Sequence, residues 1–128
     1  MRHSILPTLL LSACSLAQAN DALYTAQYSR CMDQADGVTY PMLDCIADEM
    51  KTQDARLNGA YQALRGSLSA ERKQALLTAQ RLWIKYRDAN CDFYNDPEGG
   101  SYQRLLANEC MLRETAERAK ELETLSEP

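Results

Sequence analysis

Apolar residues return every three or four positions along most of this chain, with polar residues filling the steps between. Leu43, Ile46, Met50, Leu57, Tyr61 and Leu64 make the longest such series, and Gln53 or Asp54 stands in its one gap. That is the period of a helix with one buried face. The pattern predicts four helices. The first runs from about Asp21 to Gln34, with Asp21 at its electropositive start, and Ala35-Asp36-Gly37-Val38-Thr39 ends it. The second starts near Thr39–Pro41, where proline suits the first turn, and runs to about Arg65 before Gly66. Ser69 caps the third, Glu71 sits in its first turn, and it reaches about Tyr94. The fourth spans about Ser101 to Leu125, with Met111, Thr115, Arg118, Leu122 and Leu125 on one stripe. The short link from Gly66 to Ser69 predicts that the second and third helices form an antiparallel hairpin. The expected class is all-α: a compact antiparallel helical bundle of about four helices with two disulfides.

The beginning of the chain breaks this pattern. Arg2 and His3 precede an apolar run from Ile5 to Leu16, and Ala17-Gln18-Ala19 follows with small residues at the positions a signal peptidase reads. Residues 1–19 are therefore expected to be a cleaved signal peptide, leaving 20–128 as a single exported domain. The run is too short for a permanent membrane span. A rival reading takes Leu11-Ser12-Ala13-Cys14 as a lipoprotein box, with the mature chain anchored through a lipid on Cys14. The first reading places the protein in the periplasm or outside the cell, with no integral membrane segment once the signal is removed.

Export changes the meaning of the cysteines. The chain has five, and Cys31, Cys45, Cys91 and Cys110 lie beyond the signal. An even number in a short exported chain argues for two disulfides, and four cysteines allow three pairings. Cys31 and Cys45 flank one interhelical loop, and Cys91 and Cys110 flank another. Those local pairs, Cys31–Cys45 and Cys91–Cys110, are the favoured ones. A zinc site is disfavoured because paired Cys-x-x-Cys spacing is missing. Asp88, Asn90 and Asp92 resemble the start of a calcium loop, but Phe93 occupies its glycine position and Gly99 its bidentate-glutamate position. No metal and no cofactor are expected.

The single histidine, His3, leaves with the signal, which removes histidine-based catalysis and metal ligation. Nor is there a Cys–His, Ser–His or phosphate-loop arrangement to make a catalytic site. Loss of Arg2 makes the formal net charge of −4 one unit more negative. An acidic surface disfavours nucleic acid and favours a basic partner.

Several residues in order resemble the LprI-like family of small exported proteins. They are Leu57, Asn58, Tyr61 and Leu64; then Gln80, Trp83, Arg87, Asp88 and Cys91; then Gly99-Gly100, Cys110, Thr115, Arg118 and Leu122. The match runs from Cys31 to about Leu122. The resemblance implies a helical, disulfide-bonded envelope protein. It also implies inhibition of lysozyme, because a mycobacterial lipoprotein member gives the family that description.

Gln80, Trp83, Arg87 and Cys91 share one face of the third helix, with Asp88 beside it. Gln80, Arg87 and Asp88, together with Asn58, Thr115 and Arg118, are expected to form a structural polar network, in which Arg87 or Arg118 holds Asp88 or a glutamate at two points. Trp83 is expected in the core. The segment from Asn95 to Tyr102 is the candidate contact surface. Asp96 and Glu98 give it acidity, Tyr94 and Tyr102 give it aromatic area, and the favoured Cys91–Cys110 bridge ties its base. A tethered acidic loop suits a basic enzyme with a concave cleft. The expected function is a non-enzymatic, protein-binding inhibitor of a lysozyme or related peptidoglycan hydrolase. The alternative is an envelope adaptor that binds another protein through an exposed helical face.

Overall fold

The computed structural model describes residues 22–128. The expected signal peptide with its cleavage site, and the rival Cys14 box, lie outside them. Four helices follow one another: α1 (Ala26–Ala35), α2 (Thr39–Gly66), α3 (Ala70–Phe93) and α4 (Gly100–Ser126).

The first helix starts later than the apolar pattern implies. Residues Ala22–Thr25 stay out of the helix because α2 holds them. The Thr25 N–H donates to Glu49 Oε1 at 2.9 Å, and its hydroxyl donates to Glu49 Oε2 at 2.6 Å. Thr25 Oγ1 in turn accepts the Tyr28 N–H at 3.2 Å, which makes Thr25 the N-cap. Helix α1 ends where Asp36 and Gly37 both adopt left-handed backbone, with φ of 49° and 75°. At the other end of α2, the Ser67 hydroxyl donates to the Leu64 carbonyl at 2.8 Å, and Ser69 Oγ accepts the Arg72 N–H at 3.3 Å to start α3.

The main contact is between α2 and α4, and these two helices run parallel. Ile46 packs with Leu105 and Leu112 near their starts, and Leu57, Ala60 and Leu64 pack with Ala119 and Leu122 near their ends. Ala60, Ala116 and Ala119 are all buried, so this pair has small residues at its contact. Helix α1 lies against α2, and Tyr24 and Tyr28 close over the Ile46–Leu112 cluster. Helix α3 leans on α4, with Leu76 and Trp83 over the Leu57–Leu122 cluster. The hairpin expected of α2 and α3 is therefore not the organising unit. The short link turns the chain back, but α3 finds its apolar support mainly on α4, which α2 already flanks.

That arrangement also corrects the stripe read for α4. Thr115 and Leu122 are fully buried, but Leu125 is exposed. The face buried against α2 includes Leu112, Ala116 and Ala119. Alanines carry no large apolar signal, so the stripe of larger residues pointed partly toward α3 instead.

Both favoured disulfides are present. Cys31–Cys45 joins α1 to α2 with Cα atoms 5.7 Å apart, and Cys91–Cys110 joins α3 to α4 at 5.4 Å. Cys91 is the sole buried residue of α3, so the second bridge is a large part of what anchors that helix. Among the described residues, no helix is long and apolar enough to cross a membrane.

Candidate partner-binding surface

The polar residues singled out in the sequence divide into an internal group and an exposed loop. In the internal group, Arg87 donates from Nε to Asp88 Oδ1 at 2.9 Å and from Nη1 to Thr115 Oγ1 at 3.3 Å. Arg118 donates from Nε to Gln80 Oε1 at 3.0 Å and from Nη1 to Glu121 Oε2 at 2.6 Å. The two guanidinium carbons lie 5.0 and 5.9 Å from the Trp83 ring centroid, for Arg87 and Arg118 respectively. Trp83 is thus half-buried and faced by two cations, an arrangement that favours the indole through its ring quadrupole. These contacts tie α3 to α4. Asn58 stands apart from them, exposed on α2.

A linked series of polar contacts was not read from the sequence. Glu49 is only 4% exposed. Besides Thr25, it accepts a bond from Gln53 Nε2 at 2.8 Å. Gln53 Oε1 accepts from Arg56 Nη1 at 3.1 Å, and Arg56 Nε donates to Glu123 Oε1 at 2.7 Å. Glu49, Gln53 and Arg56 therefore form a ladder up α2 from the start of α1 to the end of α4. The gap in the apolar series of α2 was the available signal. Gln53 fills it, and Asp54 faces solvent. Arg87 holds Asp88 Oδ1 with two nitrogens, Nε at 2.9 Å and Nη2 at 2.8 Å, and a second clamp not read from the sequence belongs to Arg56, whose guanidinium meets both Glu123 oxygens. Arg56 holds the Glu123 carboxyl below its ordinary range, chiefly by hydrogen bonding.

At the other end of the bundle lies the loop between α3 and α4. Tyr94 caps α3, and the Asn95 N–H donates to the Asp92 carbonyl at 2.9 Å. The Asp96 side chain accepts the Glu98 N–H at 2.9 Å, and its carbonyl accepts the Gly99 N–H at 3.0 Å. Asp96 therefore organises the turn as an Asx motif. Gly100 has φ of 73°, so a glycine suits the entry to α4. A side chain at Gly99 would collide with Gln103.

Tyr94, Asp96, Glu98 and Tyr102 are all exposed. The Phe93 and Tyr94 rings meet edge to face at 5.9 Å. A polar groove of about 430 Å³ runs beside the loop, lined by Asn95, Asp96, Pro97, Ser101, Tyr40 and Arg104 among others. Tyr40 comes from the first turn of α2, far away in sequence. It reaches the groove because α2 and α4 run parallel and start at the same end, a relationship no local pattern encodes. Arg104 brings a positive charge to what the sequence presents as an acidic surface. Among the described residues, no cluster of three or more His, Cys, Asp or Glu could hold a metal ion.

A protein of Rhizobium meliloti (strain 1021), described only as uncharacterized, is 29% identical over 94% of both chains. No solved structure matches. The family described as lysozyme inhibitor LprI matches residues 31–122, which include both disulfides and the α3–α4 loop. The chain belongs to the lysozyme inhibitor LprI family.

Proposed function

We propose that this chain is an exported, non-catalytic inhibitor of a lysozyme or related peptidoglycan hydrolase. Family membership carries the reading. Two disulfides support export into an oxidising compartment, either as a soluble domain or anchored through Cys14. The inhibitory surface is the loop from Tyr94 to Tyr102. It would enter the enzyme cleft and block substrate, with Asp96 and Glu98 facing basic groups and the two tyrosines filling apolar ground. Hydrogen bonds within the turn and the bridge at its base reduce the ordering cost of binding.

The test is a charge reversal on that loop. Glu98 contributes only its backbone N–H to the turn, so Glu98→Lys leaves the turn intact. Asp96→Asn keeps a side-chain oxygen for the turn and removes the charge. The double substitution is expected to weaken inhibition by about tenfold or more, since reversed charge at a complementary interface costs over ~1.4 kcal/mol. Unchanged inhibition with intact folding would place the inhibitory surface elsewhere.

A further inference from the structure

Helix α3 carries an apolar seam that none of the other described residues covers. Ala75, Ala79, Leu82, Tyr86, Ala89 and Phe93 are spaced alternately by four and three residues, the heptad spacing of a coiled-coil contact. All six are exposed, and Leu82, Tyr86 and Phe93 retain 62%, 57% and 83% of their accessible surface. The face that α3 turns toward α4, with Gln80, Trp83 and Arg87, lies beside it, and Ala75 and Ala79 border the groove that α3 shares with Arg118 and Leu122 of α4.

We propose that this seam docks a second copy of the chain, with the two α3 helices antiparallel. The residues select one register. Layering Leu82 on Phe93 of the second copy also layers Tyr86 on Ala89 of the second copy. It sets Lys85 beside Asp92 of the second copy, and by symmetry Asp92 beside Lys85. Neither Lys85 nor Asp92 has an ion-pair partner among the described residues. Sliding by one heptad in one direction places Lys85 against Lys85. Sliding in the other places Asp92 against Asp92. A parallel pairing sets Lys85 beside Asn90 and gains no charge pair. The charges thus select a single two-fold arrangement, as an isologous contact requires, with Leu82, Tyr86, Ala89 and Phe93 in its layers and Ala75 and Ala79 beyond them.

The contact is small. Two aromatic rings, one leucine and Ala89 supply roughly half of the ~800 Å² per partner of a standard interface. The dimer is therefore weak and concentration-dependent. It stands independently of lysozyme inhibition.

Sedimentation equilibrium on the oxidised mature domain, from about 10 µM to about 1 mM at low salt, reads this directly. The expected result is a mass rising toward twice that of the monomer. Lys85→Glu alone and Asp92→Lys alone should each weaken the dimer at least tenfold, because each places like charges together. The double swap should restore it. Circular dichroism verifies folding, and inhibition titres are read separately so that the two proposals fail independently. A monomer at every concentration overturns the inference. So does a dimer indifferent to the single swaps, or a folded double swap that stays monomeric. Capture of a different protein by the seam of a strictly monomeric chain overturns it too.

Discussion

Arg56 and Glu123 clamp the parallel helices α2 and α4 together near their C-terminal ends, with Arg56 Nε 2.7 Å from Glu123 Oε1 and a second bond alongside. The pair is partly exposed, so its worth is modest. Glu123→Gln is expected to cost about 0.5 kcal/mol near neutral pH. Because Arg56 lowers the carboxyl pKa, this contribution is present above the ordinary glutamate value and lost as pH falls through the lowered one. Chemical denaturation of both proteins, at neutral pH and in acid, should show the gap closing in acid.

The buried Glu49 holds α1 in place. It accepts two bonds from Thr25 and one from Gln53. Glu49→Ala leaves the Thr25 N–H without its acceptor and opens space in a packed region. A loss of about 2–4 kcal/mol is expected. Hydrogen exchange should show α1 losing protection before α2 and α4. Equal loss in all helices would contradict this local role.

How much of this was legible in the sequence depends on whether the cause was local. The starts of α2 and α3 and both disulfides follow from nearby residues such as Pro41, Ser69 and the loop-flanking cysteines. The start of α1 did not, because Glu49 reaches it from another helix. The parallel pairing of α2 with α4 rests on Ala60, Ala116 and Ala119, whose small side chains leave little periodic trace. Tyr40 and Arg104 were missed at the candidate surface for the same reason. Only the parallel pairing brings them beside Asp96. Asn58 was drawn into the polar group by its place in a motif, yet it lies on a solvent-facing side of α2.

Tyr28 gives an alkaline signature. Burial first, then the negative charge of Glu109, Tyr24 and Glu49, pushes its pKa up to about 12 from the ordinary 10.0. The neutral phenol is the form the fold prefers. Its contribution is complete below pH 10.0 and is lost as pH rises toward about 12. Tyr28→Phe cannot ionise there. Its stability relative to the parent should improve steadily over that window, as measured by urea midpoints.

Removing the Cys91–Cys110 bridge tests how α3 is held. The double change to serine should cost about 2–4 kcal/mol. It should also raise amide exchange in the C-terminal half of α3 and in the 94–102 loop. Inhibition should weaken more than global stability predicts, since a looser loop must be ordered on binding. Full inhibition by the folded variant would separate the loop from the inhibitory surface.

The most direct test of the central claim is a titration of the oxidised mature domain into chicken-, goose- and invertebrate-type lysozymes at low and high salt. Saturable inhibition of one class near one-to-one stoichiometry, weaker at high salt, is the predicted result. Undiminished activity of all three classes with the folded, oxidised domain present in excess would contradict it.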